Sequence, residues 1–450
     1  MKIIVFDDDP TGSQTLNNCL LLLKWDYETL LKGLQSRSNI FFILANTRSL
    51  SEIEVKARLK EICESLLNVF SKEGYNKEDF IFVSRGDSTL RGHNYLEANL
   101  LNDMLGPFDA TFHIPAFIEA NRVTIDGKHF VDNVPAHETI YARDKIFGYE
   151  TSDIKTILYK KSNSMILFKD IQNLLLSDLN DLEMTESNKV FKRIYSLKNN
   201  IQVIVDAKEY KHLEKISSLV KSAMGKKRFL FRTAASFLTA ISAVKVNTIN
   251  NELLLNMKSM NSKNQLIKGL IVVGSFVSTT NDQLYQLLKI NSCKAIELNV
   301  SEFYRIISLK ESNKDLKIFK SLIIKEIRKS LKVSITPVLF TSRNELLLDN
   351  DTDQICFYNS LSKFIAEIVG DICYEINYLI SKGGITSNNI LSHGLKLDSV
   401  YLKGQILKGI SLVEARIRDT EKIISIVTFP GNIGNKDSLI KVWQLLEEIN

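Results

Sequence analysis

Ile3-Ile4-Val5-Phe6-Asp7-Asp8-Asp9-Pro10-Thr11-Gly12, near the start of a 450-residue chain, joins an apolar run to three consecutive carboxylates and a turn. The apolar run reads as a buried strand, and Asp is poorly suited to continue one. Pro10 and Gly12 stop the strand and let the chain turn. A strand ending this way in an open α/β sheet sets its carboxylates at the C-terminal lip, where such sheets bind ligands. Adjacent anions repel, so the cluster needs a cation, a helix N-terminus or a raised pKa. Alone, the stretch also fits a solvated Asp-rich turn.

The same grammar recurs downstream. Residues 40–44 run into Ala45-Asn46-Thr47-Arg48-Ser49, residues 80–83 into Ser84-Arg85-Gly86-Asp87-Ser88-Thr89-Leu90-Arg91-Gly92-His93, and residues 112–114 into Pro115-Ala116-Phe117. Ser51 and Glu54 form a capping-box pattern that opens a helix expected to run through Leu67. Strands separated by helical stretches imply parallel βαβ units, whose C-terminal ends share one sheet edge. On that edge Asp7 to Asp9, Arg48 and the segment from Asp87 to Arg91 converge. Arg122 with Asp126-Gly127 reads as a hairpin turn. Residues 149–200 read as helices and surface loops, and residues 201–205 and 229–231 as further strands.

The second half repeats the pattern. Residues 270–273 lead to Gly274-Ser275, residues 337–340 to Thr341-Ser342-Arg343, residues 378–380 to Ser381-Lys382-Gly383-Gly384-Ile385-Thr386-Ser387, and residues 423–429 to Pro430-Gly431-Asn432-Ile433-Gly434. Glycine-rich loops after strands let backbone N–H groups approach phosphate, although Gly after a strand is also ordinary turn punctuation. The expected organisation is an N-terminal domain over residues 1–246, a polar joint over 247–268 and a C-terminal domain over 269–450. The expected fold class is α/β, with two domains, each a mostly parallel sheet flanked by helices, and an active site in the interdomain cleft.

Composition bounds the function. The chain is 44% hydrophobic and 24% charged, and its formal charge of +6 is too weak over this length to argue for nucleic acid or a membrane surface. The five cysteines (Cys19, Cys63, Cys293, Cys356, Cys373) are scattered and lack CxxC spacing, which suits a reducing compartment and speaks against a disulfide framework or thiolate zinc site. Acids interrupt the only apolar N-terminal stretch, so no signal peptide is expected, and the expected location is the cytoplasm.

No Walker A motif, GxGxxG or HExxH is present. Asp7-x-Asp9-x-Thr11 after a strand also fits the nucleophile motif of haloacid-dehalogenase phosphatases, but no later strand ends in the acidic metal-binding pair that chemistry needs. Asp87, Ser88 and Thr89 can exchange hydrogen bonds with sugar hydroxyls, and Arg48 and Arg91 can clamp a carboxylate. The local alternative for Asp87 or Ser88 is a helix N-cap.

Taken together, Asp8-Asp9-Pro10-Thr11-Gly12, Asn46-Thr47-Arg48-Ser49, Asp87-Ser88-Thr89-Leu90-Arg91-Gly92, Pro115-Ala116-Phe117, Val273-Gly274-Ser275, the 383–387 loop, Gly404-Gln405-Ile406 and Pro430-Gly431-Asn432-Ile433-Gly434 resemble, in that order, the motifs of the four-carbon acid sugar kinases. The resemblance covers nearly the whole chain. It implies an ATP-dependent kinase that phosphorylates the terminal hydroxyl of a short sugar acid. It also implies substrate contacts at Asp8, Arg48, Ser84, Arg85, Asp87, Ser88 and Arg91; the expected general base is an Asp of the first cluster, Asp9 ahead of Asp8 because it sits closest to the turn. Ser275, Gly383, Gly384, Ile385, Thr386 and Gly431 would hold ATP, with Mg2+ entering on the nucleotide and no dedicated protein metal site. The partners implied are small molecules, without nucleic acid or membrane, and a homodimer is the candidate assembly. The sequence departs from the family pattern at Gly86, where Ser or a similar residue is expected, and at Asn121, in place of a Gly. Asp7 and Pro10 are extra to the common first motif. A phosphatase using Asp7 and Asp9, or a non-catalytic sensor of sugar acid and nucleotide, are the competing readings.

Overall fold

The opening apolar run forms β1 (Lys2–Asp7), whose residues from Ile3 onward are buried. In this computed structural model the chain folds as two compact units, Met1–Val246 and Asn247–Asn450. The described residues are 1–450 apart from 11–14, 181–184, 186–187, 245–248, 250, 258–259, 261–265, 309–312, 345, 349, 419 and 448–450, and side chains are not described at 251, 256, 313, 351 and 352. Thr11 and Gly12 of the first motif, and much of the expected joint, therefore lie outside the described residues. Within that joint the described part includes a short helix, Asn251–Asn256, whose Leu254 joins the core of the second unit.

The first unit continues with β2 (Cys19–Leu22), β3 (Ile40–Leu44), β4 (Phe80–Arg85), β5 (Ala110–Ile114), β6 (Arg122–Ile125), β7 (Lys128–Val131), β8 (Val134–Pro135), β9 (Ile171–Leu174), β10 (Ile201–Val205) and β11 (Phe229–Thr233). Its main sheet runs β2-β3-β1-β4-β11-β5-β10-β9. Every pairing along it is parallel. Parallel strands are covered on both faces, which is why β1, β3 and β4 read as unbroken apolar runs. Residues β6 to β8 form a separate antiparallel ribbon, with Arg122 opposite Val131 and Ile125 opposite Lys128. The predicted capping box is present: Glu54 N donates to Ser51 Oγ (3.4 Å) and Ser51 N donates to a Glu54 carboxylate oxygen (2.8 Å). The helix it opens, Glu52–Glu73, runs a turn and a half beyond Leu67 because Val69 and Phe70 still bury against the sheet.

The second unit contains β12 (Leu270–Val273), β13 (Cys293–Leu298), β14 (Thr336–Thr341), β15 (Tyr378–Lys382), β16 (Ser399–Leu407), β17 (Ile410–Arg416) and β18 (Ile423–Phe429). Its strands run β13-β14-β12-β15-β18-β17-β16. The pairs from β13 to β18 are parallel, and β18-β17-β16 is an antiparallel meander. Gly404 sits at a register shift inside β16, and Gln405 Oε1 accepts from Gly409 N (2.8 Å), so the Gly404-Gln405-Ile406 motif serves this hairpin. Among the described residues no helix is long and apolar enough to cross a membrane.

Both units are doubly wound, and each has a strand whose neighbours lead the chain in opposite directions. These are β1, between β3 and β4, and β12, between β14 and β15. Loops leaving such a pair diverge and open a crevice.

Candidate active site

In the first unit the crevice lies where β1 and β4 end side by side, with Asp7 in register with Arg85. Asp8 is buried there with its carboxylate saturated by guanidiniums. Arg48 Nη2 donates to Oδ1 (2.8 Å), Arg48 Nε to Oδ2 (3.1 Å) and Arg85 Nη1 to Oδ1 (3.0 Å). Burial alone would raise the Asp8 carboxyl, but Arg48, Arg85 and Arg232 outweigh it and hold the group below the usual carboxylate range. Asp9 is the more accessible neighbour, with a side chain 17% exposed and an oxygen 3.5 Å from Arg48 Nη1. Asp7 has no exposed surface, and its Oδ2 is buried without a hydrogen-bond partner. Burial pushes the Asp7 carboxyl up to about 7, against the pull of Arg85. A phosphatase nucleophile must reach phosphorus, and the enclosed Asp7 carboxylate does not.

The loop after β4 supplies the second set. Asp87 accepts from Arg91 Nε (2.8 Å) and from the Thr89 hydroxyl. Burial opposes ionisation of Asp87, but Arg48, Arg91 and Arg122 keep it charged, far below the usual range. The segment is a loop, not the start of a helix: the next helix is Asn94–Leu105, and its cap residue His93 makes no side-chain capping bond. Gly92, at φ +97°, lies against Asp8, where an added Cβ would sit 3.4 Å from Oδ2.

The ribbon shapes this loop from behind. Arg122 Nη1 donates to the Ser88 hydroxyl, and His129 Nε2 donates to the Ser88 carbonyl (2.7 Å). Burial lowers the His129 pKa to about 4, so the ring is neutral and Nδ1 accepts from the Thr124 hydroxyl at 3.1 Å. Tyr141 lies under both Arg91 (5.2 Å) and Arg122 (5.5 Å). Asn121 adopts φ 51° and ψ 39°, a left-handed conformation that Asn tolerates best after Gly, which accounts for that departure from the family pattern.

Arg232, at the end of β11, organises the layer beneath. It donates to Ser84 Oγ (2.6 Å), Asn94 Oδ1 (2.8 Å) and the Glu97 carboxylate. Ser84 is fully buried in this network, so the structure places it as support for the crevice floor. Gly86 is explained by the same residue, because a Cβ there would fall 2.2 Å from Arg232 Nη2.

In the second unit Ser275, Gly383, Gly384, Ile385, Thr386 and Gly431 all line one cavity of about 300 Å3. It opens where β12 and β15 end. Thr280 ties its rim together, donating to Gly431 O (3.0 Å) and lying 3.2 Å from Ser275 Oγ. The backbone is approached closely here: an added Cβ at Gly274 would meet Thr386 Oγ1 at 2.2 Å, and one at Gly431 would meet Ser275 Oγ at 2.5 Å. Gly383 takes φ +119°, a value side-chain-bearing residues avoid. Such a cradle fits phosphate, which needs N–H groups unobstructed by side chains. Lys382, fully buried, donates to Pro430 O (2.7 Å) and Gly431 O (3.3 Å), and burial lowers its ammonium to about 7. Arg343 Nη1 donates to Ser275 O (2.8 Å). Among the described residues no group of three or more His, Cys, Asp or Glu side chains is arranged to hold a metal ion.

Arg122, Arg232, Glu97, Tyr141 and Lys382 were not assigned to a site from the sequence. Arg232 carried a readable signal, a charged residue directly following the buried run Phe229-Leu230-Phe231.

Residues 3–241 match the sugar-binding N-terminal domain and residues 270–439 the nucleotide-binding C-terminal domain. The chain belongs to the four-carbon acid sugar kinase family. Within this family setting, a D-erythronate kinase of Heliobacterium modesticaldum is 24% identical over 292 residues, 63% of this chain. The match spans only 59% of that relative's length. Among solved structures, a putative tRNA synthase from Salmonella typhimurium LT2 aligns over 98% of both chains with a TM-score of 0.69 at 15% identity. The Haemophilus influenzae protein HI1011 aligns over 98% of this chain and 100% of its own, with a TM-score of 0.62 at 16% identity. At these identities the likeness establishes a common fold.

Proposed function

We propose that this family member is an ATP-dependent kinase for the terminal hydroxyl of a short sugar acid, four carbons being the first length to test. The observation that carries this reading is that the strand ends at the two topological switch points are equipped differently, one with carboxylates and guanidiniums and the other with a cavity of glycines and hydroxyls. The first suits a polyhydroxy acid and the second a polyphosphate. The name of the Heliobacterium relative supports the same class.

In this mechanism Asp9 accepts the proton of the attacking hydroxyl, because it is the accessible carboxylate of the trio, while Asp8 is committed to orienting Arg48 and Arg85. Arg91 holds the substrate carboxylate. Ser88, buried and held by Arg122 and His129, fixes the loop that presents Asp87 and Arg91. MgATP supplies the phosphoryl group, with the metal neutralising the charge that develops on it. Ser275, Thr386 and the backbone N–H groups of the Gly383 and Gly431 loops hold the nucleotide phosphates. Catalysis in such a site comes mainly from positioning and charge stabilisation.

The deciding experiment measures ADP release across a panel of four- to six-carbon sugar acids. ADP is expected only when an acceptor is present. Thermal stabilisation by ligands without any product would sink the kinase reading in favour of a sensor, and phosphate release from phosphoesters without ATP would favour a phosphatase.

A further inference from the structure

Beyond the ribbon of the first unit, residues 140–149 close over the segment from Thr89 to His93. Tyr149 Oη donates to Thr89 O (2.7 Å), and the Phe147 ring stands edge-on to His93 at a centroid distance of 4.9 Å. The loop is built around Asp144, a carboxylate that the mechanism above leaves idle. Asp144 Oδ1 accepts from Ile146 N and Phe147 N, both at 3.0 Å, and Gly148 N donates to the Asp144 carbonyl (3.0 Å). Glycine is required at 148, since an added Cβ would fall 2.6 Å from that carbonyl and 2.8 Å from Ala142 O. With Oδ1 so fixed, Oδ2 faces Arg91. It lies 3.7 Å from Nη1, too far for a hydrogen bond, and accepts none from any described residue.

Arg91 does not need Asp144 for its orientation. Its Nε already donates to Asp87 (2.8 Å) and to Thr89 Oγ1 (3.0 Å), and Tyr141 lies under its guanidinium. The side chains of Arg91 and Asp144 are 22% and 28% exposed, and an ion pair that open and that long adds little stability. Among the described residues Arg91 makes no hydrogen bond through Nη1 or Nη2. A donor edge and an acceptor oxygen therefore stand side by side, both unsatisfied. An acid with a hydroxyl on the carbon next to its carboxylate presents the complement, acceptors first and a donor one carbon further on. Arg has donors only and an ionised Asp acceptors only, so neither can read that pair alone. We infer that Asp144 is a specificity-determining residue: while Arg91 holds the substrate carboxylate, Asp144 Oδ2 accepts the hydrogen bond of the adjacent hydroxyl, so the site selects α-hydroxy acids. The inference rests on the kinase reading, in which Arg91 is the carboxylate clamp.

The test compares kcat/KM, read as ADP release by the purified full chain, for the best acceptor of the sugar-acid panel and for the same acid lacking the hydroxyl next to its carboxylate. A hydrogen bond to a charged group predicts a preference for the hydroxy acid of about 10- to 100-fold. Asp144→Asn keeps the oxygen that holds Ile146 N and Phe147 N but puts a neutral amide in place of Oδ2. It should cut that preference by about tenfold, as a charge-assisted bond becomes a neutral one. A purely structural Asp144 would move both acids alike and leave their ratio unchanged, and that result in a folded variant overturns the inference while the kinase reading stands. So does a preference below about tenfold in the unsubstituted chain, which needs no variant to fold. Absence of ADP release with every acid of the panel overturns the kinase reading, and this inference with it.

Discussion

In the first unit the crevice at the β1 and β4 ends is walled by ionised side chains that already satisfy one another, whereas at the β12 and β15 ends of the second unit the corresponding crevice is walled by glycines, hydroxyls and rings. Both groups of residues lie at the switch point of parallel strands, and the materials differ with the ligand each suits. A polyhydroxy acid presents donors, acceptors and one charge at fixed angles, so a lattice of carboxylates and guanidiniums held in advance can read it. A polyphosphate presents repeated charge on a flexible chain, and close approach to backbone N–H groups serves it with little side-chain chemistry. The first site should therefore fail by loss of a functional group, and the second by gain of a methyl.

The sharpest break of that contrast is Asp9→Asn. Loss of the proton acceptor should lower kcat by about 10^3-fold with the ATP KM nearly unchanged, measured by steady-state kinetics on a folded variant. Full turnover would remove Asp9 from the mechanism. Next in size is Gly431→Ala, whose new methyl would crowd Ser275 Oγ. The ATP KM should rise by about 10- to 100-fold while the sugar-acid KM holds. Equal effects on both substrates would erase the division of labour.

A subtler pair concerns protons. Each unit buries an ionisable residue as the last residue of a strand leading into its site, Asp7 of β1 and Lys382 of β15, and burial moves both to about 7 from opposite sides. Folding favours the protonated Asp7, so its contribution is fully present below its ordinary value of 3.8 and is lost as pH rises to about 7. Asp7→Asn should abolish that loss, making the variant more stable than the parent at pH 8 by as much as roughly 2 kcal/mol in urea unfolding. Lys382 works the other way: folding favours its neutral form, so stability rises with pH between about 7 and 10.5. Lys382→Met should flatten that rise, read as urea-unfolding stability across the same pH range. A rise that persists in the variant would show that Lys382 does not titrate there.

Much of this architecture was legible in the sequence because parallel strands buried on both faces leave unbroken apolar runs, as at residues 3–6, 40–44 and 270–273. β13 is not legible because it is an edge strand with exposed Lys294, Ala295 and Glu297, and β9 because Gln172 and Asn173 break its apolar run. The loop residues around both crevices stood out because Asp, Arg and Gly cluster after strands. The partners that position them did not. Arg122 read as part of a hairpin and Glu97 as an ordinary helix residue, since nothing local reveals that a side chain 135 positions away, Arg232, will close on it. Long-range pairing of charges is a property of the fold, and single-sequence periodicity does not encode it.

The close fit of Gly86 beneath Arg232 has an evolutionary corollary. The two positions are tied by epistasis: any side chain at 86, including the serine common to the pattern this chain departs from, requires the guanidinium to move first. The same guanidinium holds Ser84, Asn94 and Glu97, so exchanges at 86 and 232 should be non-additive in stability.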